Sequence, residues 1–322
     1  MLPPPVVRRL VLTPLLFVLT LLIIVVFPVG YAVAFLIGRD RKRALRLLWF
    51  ALAWGTRESV AVLECGLLWL RRRTRDDRHY DVIRRYVAGL YGSAQRRLGL
   101  RVEISGGGAA PPGDRPLIVL SRHAGPGDAL LLVHHLLTDY RRRPRVVMKA
   151  QLQFDPCIDI AANRMPNVFV TPGGGAVEDI GRLAAGLGPR DALLIFPEGG
   201  NFSPERRRRA IRRLTRLRRT DEAARAAAMR HLMPPRPGGV LAALDAAPSA
   251  DVVFVAHIGL DHMATVGDVW RRIPLTGPVQ ARWWRIPAED VPAGRDARVG
   301  WLYGQWERAD AWIGANRAPV SG

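Results

Sequence analysis

Apolar and polar positions are arranged in three different ways along this chain, and each arrangement predicts a different kind of element. From Leu10 to Gly38 no charged residue occurs, and the run LLFVLTLLIIVVFPVGYAVAFLI is apolar on every face. As a helix rising about 1.5 Å per residue it exceeds the roughly 30 Å hydrocarbon core of a bilayer, so it is expected to be a membrane segment. Arg8 and Arg9 ahead of it, and AVA at 32 to 34, also resemble a secretory signal and its cleavage site. The apolar run is longer than such a signal needs, and RDRKR directly after it resists translocation. A second run at 44 to 70, ALRLLWFALAWGTRESVAVLECGLLWL, is also apolar but carries Arg46, Arg57, Glu58 and Glu64. Unpaired charges are costly in lipid, so this stretch is expected to lie in the interface or to pack back on the first helix as a membrane-embedded hairpin.

Beyond the hairpin the pattern changes to helical period. Val82, Ile83, Tyr86, Val87, Leu90 and Tyr91 fall on one face and predict an amphipathic helix over 80 to 100. A turn-rich connector follows at 106 to 116. Short apolar runs then predict strands at 117 to 121, 145 to 149, 167 to 171, 191 to 196 and 251 to 260. Between them lie helical patterns near 128 to 138, 176 to 187 and 204 to 219, with a further short helix after the break PPRPGG. The Trp-rich stretch WLYGQWERADAWI reads as a last amphipathic helix, packed on the domain or at the membrane interface. The expected fold is α/β, a mainly parallel sheet covered by helices on both faces. The expected division is 1 to 78, a membrane anchor and helical hairpin, and 79 to 322, the α/β domain. In such a sheet, ligands bind at the carboxyl ends of the strands.

Charge refines this picture. The chain has 322 residues, is 49% hydrophobic and carries a formal charge of +20, almost all of it from arginine. For a tethered chain the expected partner of such a surface is membrane lipid, anionic phospholipid in particular, at about 1 kcal/mol per basic group near the leaflet. Nucleic acid is not expected, because no stacking aromatics are interleaved with the basic residues. Basic clusters at Arg39 to Arg43 and Arg71 to Arg78 point to a plasma-membrane protein whose α/β domain faces the cytoplasm. Cys65 and Cys157 are the two cysteines, with neither a disulfide framework nor metal-ligand spacing.

Candidate chemistry sits where two strands end. After PLIVL comes SRHAGPGDAL, in which His123 and Asp128 stand five apart. On a continuous helix that spacing separates two side chains by about 140°. His134 and Asp139 have the same spacing inside and at the end of a helical pattern, and are therefore not expected to meet. Across Gly125, Pro126 and Gly127 the chain can double back, so that the Asp128 carboxylate orients the His123 imidazole as a general base. The alternative is that Asp128 caps the next helix and His123 is an ordinary loop residue. After ALLIF comes FPEGGNFS, where glycines let backbone amides approach an oxyanion or phosphate and Glu198 can accept hydrogen bonds from a polyol.

HAGPGD at 123 to 128 and FPEGG at 196 to 200, about 70 residues on, together resemble the glycerolipid acyltransferase family, with its signatures H-x4-D and F-P-E-G. The resemblance spans roughly 80 to 285. It implies that His123, oriented by Asp128, deprotonates an acceptor hydroxyl, which attacks the thioester of acyl-CoA or acyl carrier protein with no acyl-enzyme. It further implies acceptor binding around Glu198, Gly199, Gly200 and Asn201. The simplest acceptor is 1-acylglycerol 3-phosphate, with glycerol 3-phosphate or a glycolipid as alternatives. Departures are Ala124 and Gly125 inside the first motif, Gly200 where threonine is usual, VFVTPGGG without the family's arginine, and VFVAHIGL in place of a proline-bearing motif.

Substitutes for that arginine are available. Arg206 and Arg207 open the basic helix, Lys149 ends a strand and Arg164 precedes MPNVFV, so each is a candidate phosphate ligand. No metal or cofactor is expected beyond the acyl-carrying co-substrate. TPGGGAVED lacks nucleotide-binding spacing, and His257, Asp261 and His262 lie too close along one strand end to converge on a metal. No G-x-S-x-G elbow is present. From a different class, the chain could be a noncatalytic membrane protein that recruits polyanions through its arginine helix.

Overall fold

The computed structural model describes residues 2–36, 40–74, 77–105, 115–125, 127–171, 176–261 and 266–317. The connector at 106 to 114, Pro126, the glycines at 173 to 175, Arg39 and His262 lie outside the described residues. Three long helices come first: α1 (Pro5–Leu36), α2 (Arg41–Leu70) and α3 (Arg78–Leu98). Among the described residues α1 is the one helix long and apolar enough to cross a membrane.

The charges of α2 are resolved by its position between two helices. One side meets α1, where Ser59 donates to Thr20 Oγ1 at 3.1 Å and the Phe27 and Trp49 rings meet edge to face at 4.6 Å. The other side meets α3, where Arg46 donates to the Arg97 carbonyl at 2.9 Å and Arg85 pairs with Glu64 at 2.7 Å. Arg57 lies over Gly89, so close that a Cβ there would fall 1.9 Å from its guanidinium. Glu58 is buried and accepts from Trp54 Nε1 at 2.8 Å. The sequence expected the second helix to pack back on the first; it also packs on a third, which supplies the partners that lipid lacks.

Both ends of the α1–α2 hairpin are fastened to the α/β domain. Near the start of α1, Arg8 and Arg9 grip the two oxygens of Asp159 at 2.6 and 2.9 Å. Beside them, Arg164 donates to the Cys65 carbonyl of α2 at 2.6 Å. At the opposite end, Arg43 donates to the Ile273 carbonyl at 3.1 Å. The hairpin therefore lies along the domain as an outer layer, with most of the apolar surface of α1 uncovered.

The sheet has seven strands in the order β1-β7-β6-β2-β5-β3-β4. They are β1 (Val102–Ser105), β2 (Leu117–Ser121), β3 (Arg143–Lys149), β4 (Val168–Val170), β5 (Asp191–Ile195), β6 (Asp251–Ile258) and β7 (Val279–Ile286). All neighbouring pairs are parallel except β6 with β7. Strands β2 and β5 are buried at every position, which is why they read as unbroken apolar runs. Ile118, Leu193 and Phe254 face α5 (Ala176–Ala185), α8 (Pro237–Ala246) and α10 (Arg295–Asn316). Val119, Leu194 and Val253 face α4 (Asp128–Thr138) on the other side. The remaining helices are α6 (Pro204–Arg216), α7 (Thr220–Ala228) and α9 (Val266–Arg272). The Trp-rich C-terminal helix packs on the domain: Trp306 is buried and donates to the Met233 carbonyl at 3.1 Å. Strands β1 and β7 and helices α7 and α9 were not expected from the sequence.

Replacing Asp159 by alanine strips the buried Arg8 of its carboxylate, a change worth about 3–5 kcal/mol. The Asp159→Ala protein is expected to melt at lower temperature in detergent and to expose α1 to limited proteolysis. An unchanged melting temperature would show that the hairpin is held elsewhere.

Candidate active site

Strands β2 and β5 are parallel neighbours, with Leu120 opposite Ile195, so the chain leaves both at the same edge of the sheet. The loop after β2 carries His123 and ends at Asp128, the first residue of α4. There the chain doubles back, and the Asp128 carboxylate gathers it. Asp128 accepts from the amides of Ala124 at 2.7 Å, Gly125 at 3.1 Å and Ala129 at 2.7 Å. His123 Nδ1 lies 3.1 and 3.0 Å from its two oxygens, leaving Nε2 as the nitrogen for chemistry. The two readings left open by spacing are thus not exclusive, because Asp128 organises the loop and orients the histidine together.

The control pair behaves as helical geometry requires. It is His135, not His134, that reaches Asp139, at 2.5 Å and four residues apart.

Electrostatics support the orientation. Burial pushes the Asp128 carboxyl up, but the His123 hydrogen bond and charge, then His257 and the Gly125 amide, outweigh it and hold the group below the ordinary carboxylate range. The anion therefore persists beside the imidazole.

Glu198 occupies a different place from the one expected. It is 1% exposed, and its two oxygens accept the His123 amide at 2.8 Å and the Met233 amide at 3.0 Å. Facing backbone on both sides, it ties the two loops together and does not present itself to a polyol. Phe202 adds a second tie by donating to the His123 carbonyl at 3.0 Å. Burial pushes Glu198 up to about 7, against the pull of those amides.

Arg122, which the sequence reading passed over, is 1% exposed. It donates to the His257 carbonyl and, at 2.7 Å, to Asp261, fastening the end of β2 to the end of β6. Asp261 and His257 are therefore used by an arginine. Among the described residues no group of side chains has metal-binding geometry.

The cations expected to bind phosphate divide into two groups. At Gly200 a Cβ would lie 3.2 Å from an Arg206 guanidinium nitrogen and 3.7 Å from Lys149 Nζ, so both cations flank that glycine. Arg206 also donates to the Asn201 carbonyl at 3.3 Å. Gly199 has φ +68, and Arg236 lies 2.9 Å from where its Cβ would be, a third cation that the sequence reading missed. Two expected ligands are committed elsewhere. Arg207 donates to the Ala226 and Ala227 carbonyls at 3.2 and 2.7 Å, closing the end of α7. Arg164 holds α2 through Cys65, so it serves the hairpin and not the site.

Beside Asp128 an apolar cavity opens between α4 and the sheet. Asp128, His257 and Leu260 line one end, and Tyr140 and Trp283, ring centroids 6.1 Å apart, line the other. It follows α4, which runs for about 15 Å from Asp128 to Thr138 at the helical rise.

The raised Glu198 carboxyl sets the sign of a pH dependence. The folded state holds its proton up to about 7, while the unfolded chain releases it near 4.5. Stability from this group is full below that lower value and is lost as pH rises through the upper one. The melting temperature of the wild type relative to Glu198→Gln is expected to fall across this window; a flat difference would count against a protonated Glu198.

No curated protein sequence matches the chain. Residues 101–258 match the family model described as Acyltransferase. Among solved structures, the chain is similar to the 1-acyl-sn-glycerophosphate (LPA) acyltransferase PlsC from Thermotoga maritima, at 17% identity and a TM-score of 0.56. That match covers 86% of this chain and all of the other. Residues 101–258 are therefore similar to the acyltransferase family, and the chain shares its fold with that PlsC structure.

Proposed function

We propose that this chain is a membrane-associated O-acyltransferase that moves a fatty acyl group from acyl-CoA or acyl carrier protein to a hydroxyl of a lysophospholipid, most simply 1-acylglycerol 3-phosphate. The observation that carries this reading is the His123–Asp128 dyad, whose carboxylate lines an apolar cavity and whose loop is tied to the cation-flanked loop after β5. Lys149, Arg206 and Arg236 beside Gly199 and Gly200 suit the phosphate of an acceptor. The cavity along α4 suits an acyl chain.

In this mechanism His123 Nε2 takes the proton of the acceptor hydroxyl as its oxygen attacks the thioester carbonyl carbon. Asp128 stabilises the imidazolium that forms. Collapse of the tetrahedral intermediate breaks the C–S bond, and the thiolate leaves with the proton His123 had taken. The new ester and the free thiol are the products, and no acyl group passes through the protein. The hairpin supports a site at the lipid surface, where both acyl chains stay in apolar surroundings. Its basic flanks, Arg41 to Arg43 and Arg71 to Arg73, support an anionic cytoplasmic leaflet as that surface.

The test is thiol release from acyl-CoA by the full chain in detergent, with and without lysophosphatidic acid. Acceptor-dependent release is expected, and His123→Ala is expected to lower kcat by about 10³-fold, within the range of a lost general base. Release that ignores the acceptor or the substitution would overturn the reading, as would no release with any lysolipid. In the last case, binding to anionic vesicles that survives His123→Ala and is lost on neutralising the arginines of α6 would favour polyanion recruitment.

The acceptor assignment has its own check. Lys149→Ala and Arg206→Ala are each expected to raise KM for lysophosphatidic acid by about tenfold, with a smaller change for a lysolipid lacking an exposed phosphate. Equal effects on both acceptors would place the phosphate elsewhere.

A further inference from the structure

The cavity along α4 is lined mainly by leucine, valine and isoleucine, and two of its polar lining side chains are histidines holding a nitrogen that the protein leaves bare. On β6, Val253, Val255 and His257 alternate onto the face that looks at α4, and all three line the cavity. His257 is 5% exposed. Its Nε2 lies 3.3 Å from the Arg122 carbonyl and 3.8 Å from Asp128 Oδ2. Both neighbours are acceptors, so Nε2 carries the hydrogen. Nδ1 is then a buried lone pair, and it has no hydrogen-bond partner. Burial and the nearby Arg122 hold the ring's pKa down to about 4, so it stays neutral.

His135 repeats the arrangement deeper in the cavity. Its Nδ1 faces Asp139 Oδ2 at 2.5 Å, while its Nε2 is buried without a partner. It stands two helical turns beyond Asp128, about 10 Å further along α4. Among the described residues these are the two buried imidazole nitrogens lacking a partner, and both residues line this one cavity, His135 from α4 and His257 from β6. Buried acceptors are almost always paired, so a bare one lining a binding cavity calls for a donor on the ligand. A plain hydrocarbon chain supplies none. A hydroxyl on the chain does.

Resting on the acyl-chain reading of the cavity, we propose that the site selects hydroxylated acyl chains. A hydroxyl close to the thioester donates to His257 Nδ1, and a mid-chain hydroxyl donates to His135 Nε2. In both cases the rest of the chain packs on the leucines and valines of the wall.

The test uses the full chain in detergent and fatty acids of one length: unsubstituted, β-hydroxylated and mid-chain hydroxylated. Displacement of a fluorescent fatty acid reports binding, and thiol release from the corresponding acyl-CoA reports transfer. At least one hydroxylated acid is expected to bind about tenfold more tightly than the unsubstituted acid. The β-hydroxy preference should vanish in His257→Leu, and the mid-chain preference in His135→Leu. Each variant should still bind the unsubstituted acid, which establishes that it is folded. Equal or weaker binding of both hydroxylated acids by the wild type overturns the proposal, as does a preference that survives both substitutions. A binding preference without transfer from any donor would overturn the acyltransfer reading alone, and transfer without preference would overturn the hydroxyl reading alone.

Discussion

The site depends on one buried carboxylate that is shared. Asp128 receives three backbone amides and one imidazole, so the loop after β2 is shaped by the same group that orients His123. A charge-assisted hydrogen bond is stronger than a neutral one, and four donors around one anion offset the cost of burying it. Around that anion a second tier holds the backbone. Arg122 anchors the loop to β6 and Glu198 anchors it to the loop after β5. Neither needs to touch a substrate to matter, because a general base works only where its scaffold places it.

Much of this was legible in the sequence, for physical reasons. Strands β2 and β5 are buried on both faces and so appear as unbroken apolar runs. The His123–Asp128 pair stood out because glycines between them permit a reversal that a helix forbids. Strand β7 was missed because Arg282 and Arg285 interrupt VQARWWRI, and the sequence does not show that Arg285 is paired with Asp251 across the strands. Arg122 and Arg236 were missed because their partners lie far away along the chain. Glu198 was located correctly and assigned the wrong direction. Sequence shows that a carboxylate is present in a loop, not which way it faces. Nor does it show that Arg164 and Arg207 donate to backbone carbonyls.

The membrane layer follows a similar logic. Charges in the middle of an apolar helix looked like an obstacle to burial in lipid. They are instead the polar side of a helix whose other neighbour is protein, and α3 carries the complementary groups. An apolar helix with internal charge is thus a sign of a layered arrangement, in which it is the middle layer between two other helices.

Fastening at both ends of the hairpin has a consequence for how the hairpin and the α/β domain hold together. A domain joined to its anchor by a flexible stretch can be released by one cut in that stretch. Here the joint at 71 to 77 is only one of several connections, since Asp159, Arg164 and Ile273 hold the helices at points remote from it in sequence. Severing the chain there would leave hairpin and domain as a two-piece assembly held by those contacts. The α/β domain is therefore not freed from the hairpin by that one cut.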